Sequence, residues 1–216
     1  MTAMSRSVRA VLWDFGGVIT TSPFEAFARY ERENDLPVDF IRGLNAANHH
    51  ENAWARFERS QVPFDEFCTL YEKEAAEAGY PLDARAVIAC LSGDLRPLMI
   101  DALRAIRGHG LKQACLTNNF FRFDDAPTKA ERSPILGLFD TIVESSVVGV
   151  RKPEPEFYAI ACRALEIEPP DAVMLDDLGV NLKPAREMGM TTIKVTDPDA
   201  ALEELETILD LPLRPS

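Results

Sequence analysis

Arg9-Ala10-Val11-Leu12-Trp13-Asp14-Phe15-Gly16-Gly17-Val18-Ile19 is the stretch on which the reading of the fold turns. Val8 to Trp13 is short, mostly aliphatic and followed at once by glycines, the pattern of a buried strand. Such a strand carries one carboxylate, Asp14, to its carboxyl end. The pair Gly16-Gly17 then lets the backbone turn sharply and approach a ligand with no Cβ in the way. Open α/β sheets bind their ligands at this place, the carboxyl ends of the strands. Taken by itself, the stretch reads first as a strand ending on a solvated Asp, and three later stretches change that reading.

Further short apolar runs occur at Gln113 to Thr117, Thr141 to Glu144, Ala172 to Asp176 and Thr191 to Val195. They fit parallel strands covered on both faces. Helical patterns lie between and after them, at Pro127 to Leu138, Glu154 to Leu165, Asn181 to Met188 and Pro198 to Leu209. The alternation predicts an α/β fold with a doubly wound, Rossmann-like parallel sheet. Asp14 and Thr117, however, lie 103 positions apart, where a βαβ unit needs only ~30 or a little more. Roughly 70 residues are surplus there by the same measure, and their patterns are helical. Ser22-Pro23 opens one helix, Pro63 opens a clearer one that Gly79 stops, and Asp83 to Leu91 and Pro97 to Arg107 follow. The expected plan is therefore an α/β core of residues 1–19 and 96–216, with residues 20–95 inserted as a helical cap. Within the cap, Asn45 to Phe57 mixes polar and aromatic side chains. It reads either as a wall facing the substrate or as a helix contact with one wet side.

Composition narrows the class. Of 216 residues, 46% are hydrophobic, enough for a sizeable core. The 35 acidic residues against 23 basic ones leave a net charge of −12, which argues against nucleic acid or an anionic membrane as partner. A phosphate-bearing substrate remains compatible, because a local site holding a divalent cation inverts the field. The four cysteines show no C-x-x-C spacing, and Met1 to Arg9 lacks an apolar signal core. No run approaches the ~20 apolar residues of a membrane span. A soluble protein of a reducing cytoplasm is the expectation.

Four strand ends then present chemistry: Asp14, Leu116-Thr117-Asn118-Asn119, Val150-Arg151-Lys152-Pro153 and Leu175-Asp176-Asp177. Each has a duller reading as a cap or a solvated loop charge. Together, in this order, they suit phosphoryl transfer. Asp14 can attack phosphorus and form an aspartyl-phosphate that water hydrolyses. Asp14 and Asp177 can hold Mg²⁺, which prefers oxygen ligands. Thr117 and the following N–H groups offer an anion seat, and Lys152 a neutralising point charge.

With these residues in view, the chain resembles the haloacid dehalogenase superfamily, in the branch with a helical cap after the first strand. The narrower likeness is to the phosphatase domain of soluble epoxide hydrolases and the related domain fused to an acyl-CoA dehydrogenase. The stretches that carry it are Leu12 to Val18, Leu116 to Asn119, Val148 to Pro155 and Leu175-Asp176-Asp177-Leu178-Gly179-Val180-Asn181-Leu182-Lys183-Pro184-Ala185-Arg186. The resemblance implies Asp14 as nucleophile and metal ligand, Thr117 and Asn118 as phosphate binders and Lys152 as charge stabiliser. It implies Asp177 as metal ligand, with Asp176 beside it as a further ligand or as support. One departure stands out. Phosphatases of the superfamily usually carry a second Asp, a general acid and base, two positions after the nucleophile. Here that position is Gly16, which can offer Mg²⁺ only its backbone carbonyl. The leading expectation is a Mg²⁺-dependent phosphatase of a small phosphomonoester, with the cap choosing the substrate. A 2-haloacid dehalogenase, and a catalytically weak domain binding a phosphometabolite or a protein, are the alternatives.

Overall fold

The computed structural model describes residues 8–119 and 134–214. Strand β1 (Ala10–Trp13), buried along its whole length, lies between β2 (Lys112–Thr117) and β4 (Ala172–Asp176). Beyond these stand β3 (Thr141–Glu144) and β5 (Thr191–Lys194), so the order is β3-β2-β1-β4-β5 and every pairing is parallel. The chain builds outward from β1 to β3 and then crosses back to β4. The order reverses between β1 and β4, the place where sheets of this kind open a crevice.

Side chains alternate between two apolar layers, as strand geometry requires. Val11, Trp13, Cys115, Val173 and Leu175 pack with α6 (Pro97–Gly108) and α10 (Pro198–Leu209). Ala10, Leu12, Ala114, Leu116 and Met174 pack on the other side with α8 (Pro155–Leu165) and α9 (Gly179–Glu187). Trp13 is fully buried, and its indole N–H donates to Gln113 Oε1 at 3.2 Å, the partner a buried indole needs. A four-residue helix, α7 (Ser145–Val148), follows β3 directly. The fold is the doubly wound α/β architecture expected, helical cap included.

Five helices stand between β1 and α6: α1 (Phe24–Glu33), α2 (Phe40–Ala46), α3 (Ala53–Glu58), α4 (Phe64–Glu77) and α5 (Ala84–Ala89). They close around a cluster of their own that includes Phe27, Ile41, Trp54, Phe57, Phe67 and Tyr71. Trp54 and Phe57 are thus core residues of the cap, with Phe57 stacked on Phe67 at 4.4 Å. For these two the substrate-wall reading of Asn45 to Phe57 is corrected: their apolar area is covered by α4 and is not presented to a ligand. His49 and His50 in the same stretch are exposed. The entry and exit strands of the cap run side by side, bridging Thr20 to Leu95, with Thr21 N–H donating to Asp94 O at 2.8 Å. Gly93 sits there because a Cβ would lie 2.6 Å from the Thr21 carbonyl oxygen.

Helix boundaries follow local chemistry. Asp83 caps α5 through the N–H groups of Arg85 and Ala86, and Pro63 precedes the first residue of α4. Helix α9 starts two residues before the expected Asn181, because the Asp176 carboxylate already accepts the Leu178 N–H at 2.8 Å. Of the helix expected at Pro127 to Leu138, residues 127–133 lie outside the described residues.

Candidate active site

Register assembles the site before any side chain is considered. Trp13 is level with Leu175 and with Cys115, so one step further Asp14 stands beside Asp176 and beside Leu116. Neighbouring parallel strands in register point equivalent side chains to the same face, and the carboxylates of Asp14 and Asp176 therefore meet. Thr117 closes β2 one residue further on. Its hydroxyl has no hydrogen-bond partner among the described residues.

After Asp14 the chain makes a wide turn, Phe15–Ile19, closed by the Thr20 N–H on the Phe15 carbonyl at 3.0 Å. The two glycines of that turn do different things. Gly17 has φ +81°, and a Cβ on it would stand 2.2 Å from Asp177 Oδ2. It is glycine so that the Asp177 carboxylate can lie against the backbone. Gly16 has φ −73° and ψ 126°, ordinary extended geometry, and nothing lies within 4 Å of where its Cβ would be.

Lys152 reaches in from the loop between α7 and α8. Only 1% of it is exposed, and its ammonium lies 2.7 Å from Asp14 Oδ1 and 2.8 Å from Asp176 Oδ2. Burial by itself would lower its pKa; the two carboxylates outweigh burial and raise it, so the group is a permanent cation at neutral pH. Its main chain is gripped as well. Lys152 N–H donates to Asn118 Oδ1 at 2.9 Å, and Asn118 Nδ2 donates to Lys152 O at 3.0 Å. The carboxamide of Asn118 is therefore spent on holding Lys152, which leaves its backbone N–H for an anion.

Asp176 is spent in the same way. It is fully buried, with Oδ1 accepting from Leu178 N–H and Asn181 Nδ2, and Oδ2 from Lys152 and Asn181 Nδ2. Tyr158 in turn donates its hydroxyl to the Asn181 carbonyl at 2.5 Å. Neither Asn181 nor Tyr158 has a role that the sequence alone suggests. The only trace is that Asn181 falls in the first turn of the helix that opens after the Asp176-Asp177 strand end. Asp14 is different: Oδ1 takes Lys152 and the Phe15 N–H at 2.7 Å, while Oδ2 accepts no hydrogen bond among the described residues.

Carboxylate oxygens of Asp14, Asp176 and Asp177 lie within 4.8 Å of one another. Burial pushes the Asp14 carboxyl well up, with Lys152 opposing and the other two carboxylates adding to the rise. Burial and then Asp176 push Asp177 up to about 6. Three carboxylates against one ammonium leave a local excess of two negative charges. The donors are all oxygen, the chemistry of a hard divalent cation such as Mg²⁺. The Gly17 cradle, which brings Asp177 in, fits the same ion. The described residues contain no helix long and apolar enough to cross a membrane.

A family model for haloacid dehalogenase-like hydrolases matches residues 8–189. Acyl-CoA dehydrogenase family member 10 of Mus musculus is 33% identical over 214 residues, which cover 96% of this chain and 20% of that protein. Bifunctional epoxide hydrolase 2 of Sus scrofa is 29% identical over 222 residues, covering 96% and 40%. The chain thus spans a fifth and two fifths of those relatives. Sesquiterpene phosphatase astK of Aspergillus oryzae matches end to end, 26% identical over 95% of this chain and 99% of its own length. A crystal structure of a dehalogenase with intermediate complex superposes with a TM-score of 0.66 at 20% identity, over 95% of this chain and 99% of that one, a likeness of fold alone. The family model spans most of the chain and the α/β fold agrees with it: the chain belongs to the haloacid dehalogenase-like hydrolases.

Proposed function

We propose that the chain is a Mg²⁺-dependent phosphatase of a small phosphomonoester, working through an aspartyl-phosphate on Asp14. The observation that carries this reading is the placement of one buried ammonium between two carboxylates, with a third held against Gly17, at the point where the strand order reverses. Asp14 and Asp177, with the Gly16 carbonyl, would hold the ion. Bound there, Mg²⁺ would offset the negative charge of the phosphate. Asp176, whose oxygens accept from Lys152, Leu178 and Asn181, supports Lys152 in this scheme.

Lys152 holds Oδ1 of Asp14 and leaves Oδ2 to attack phosphorus. As the Oδ2–P bond forms, the P–O bond to the ester breaks, and the departing alkoxide takes a proton from water. Thr117 Oγ1 and the backbone N–H of Asn118 bind phosphate oxygens, and Lys152 stabilises the charge that grows on them. Water then attacks the acyl-phosphate and frees Asp14. At Gly16 no side chain offers or takes the proton, and general acid–base help is worth roughly 10²–10⁴-fold. The open space above Gly16 leaves room for water to serve there poorly, which also favours the second reading, a domain that binds a phosphometabolite with little turnover. The match to a protein named as a phosphatase over nearly its whole length supports the first. The cap, residues 20–95, would choose the ester.

The test is a panel of phosphomonoesters and 2-haloacids, each assayed with Mg²⁺ and with a chelator. Phosphate release that the chelator stops is the expected result. Halide release indifferent to the chelator would establish a dehalogenase instead, and binding of phosphomonoesters without turnover the weak domain.

A further inference from the structure

The C-terminal end of cap helix α3 grips the loop that carries Lys152. Glu58, its side chain 6% exposed, pairs through Oε2 with Nε of Arg151, itself 12% exposed. The adjoining residue Arg59 (10% exposed) pairs with Glu154 at 2.5 Å, and its Nε donates to the same oxygen at 3.1 Å. The charges are crossed: acid then base on the cap, base then acid on the core. The two core partners stand one residue before and two residues after Lys152. Both arginines also hold the cap segment ahead of α3, Arg151 donating to His49 O at 2.9 Å and Arg59 to His50 O at 3.0 Å. Ser60 adds a hydrogen bond to Ser146 O at 3.0 Å. Glu58 Oε1 is meanwhile anchored in the cap core by the indole N–H of Trp54, at 3.0 Å.

A buried ion pair contributes little net stability compared with an apolar pair of the same shape, but it is costly to break. It therefore specifies position. Among the described residues the main chain of Lys152 is held in the core by the Asn118 side chain, whereas the side chains of Arg151 and Glu154 on either side of it pair with the cap. We infer that Glu58 and Arg59 are positioning residues for Lys152: the seated cap fixes the loop 151–154, so that the catalytic lysine is in place only when the cap is down. The inference rests on the reading of Lys152 as the charge stabiliser of phosphoryl transfer, but the clamp itself has a readout that needs no activity.

Backbone hydrogen–deuterium exchange of residues 150–154 is compared in the wild-type chain, Arg59→Ala and Glu58→Gln. The control is Arg85→Ala, which removes an ion pair inside the cap, to Asp65. Exchange at 150–154 is expected to quicken about tenfold in the first two variants and not in the control, with the loss of a charge-assisted contact acting as a local opening. The reversed pair Arg59→Glu with Glu154→Arg should restore slow exchange relative to Arg59→Glu alone. Folded variants whose exchange at 150–154 matches the wild type overturn the clamp, as does a reversed pair no slower than its single. On an aryl phosphate, kcat should fall about tenfold in Arg59→Ala with KM moving less, since the lysine acts on the charge formed in reaction. A wild-type chain that releases no phosphate from any ester defeats the phosphatase reading. The exchange result still decides the clamp.

Discussion

Gly16→Asp is the substitution for which the structure makes the sharpest forecast. The backbone there, φ −73° and ψ 126°, is open to any residue, and an added Cβ meets no atom within 4 Å. A Cβ there therefore meets no steric conflict, unlike one a residue later. The new side chain would start two positions after Asp14, at the opening of the wide turn, where the space beside Gly16 is free. Among three carboxylates and with one ammonium already shared, its pKa is pushed upward, which suits a group that must arrive protonated. General acid–base help is worth about 10²–10⁴-fold. A carboxylate placed without a tailored surrounding should reach the lower end, about 10²-fold, or about 2.7 kcal/mol of barrier. The gain should fall on alkyl phosphates, whose leaving oxygen needs the proton. An aryl phosphate with an acidic leaving group should gain no more than about threefold by the same reasoning. The assay is kcat/KM across a leaving-group series, with circular dichroism and a Mg²⁺ titration run alongside. A folded, Mg²⁺-binding variant with no gain, or with equal gain for every ester, refutes the idea that the proton at position 16 is the missing function.

Three further outcomes follow from the geometry. Gly17→Ala should cost about 1–3 kcal/mol of stability and most of the Mg²⁺ affinity, because its Cβ and the Asp177 carboxylate compete for one place and φ is +81°; thermal melting with and without Mg²⁺ checks both. Trp54→Ala should lower stability by about 3–5 kcal/mol and reduce activity on all esters alike, since the indole is cap core and not pocket wall; a changed ranking of substrates at unchanged melting temperature would contradict this. Arg214 and the backbone N–H groups of Leu213 and Arg214 hold the Glu206 carboxyl down to about 2, from an ordinary 4.5. A lowered folded pKa contributes stability that is present above pH 4.5 and lost as the pH falls from there toward 2. Arg214→Ala should therefore flatten this part of the acid limb of a stability–pH curve.

The strand ends were readable because they combine two local signals, a short apolar run and a chemically unusual residue at its end. Asp14, Thr117 and Asp177 are found that way, and the length between the first two betrays the cap; Lys152, expected at a strand end, instead follows the four-residue helix α7, because β3 already stops at Glu144. What stayed hidden depends on contacts between distant residues. Nothing near Asn118 says that its carboxamide will be used on the main chain of Lys152, and nothing near Asp176 says that Asn181 will occupy both its oxygens. Trp54 and Phe57 misled because an aromatic residue in a polar stretch looks the same whether it faces a ligand or the next helix. Glu58 and Arg151 are an ordinary acid and an ordinary base until folding brings them together across the cap and the core. Gly16 and Gly17 look alike in sequence, and only their dihedral angles and neighbours separate a required glycine from a permissive one.

The central claim is that Asp14 takes the phosphoryl group. The direct measurement is an acid quench of the chain during turnover of a phosphomonoester, followed by mass spectrometry of the peptide that contains Asp14, with Asp14→Asn in parallel. The account predicts one phosphoryl group on that peptide, present with Mg²⁺, absent with chelator and absent in Asp14→Asn, which stays folded and releases no phosphate. Metal-dependent phosphate release with no adduct at Asp14, or an Asp14→Asn chain working at near the wild-type rate, would contradict it.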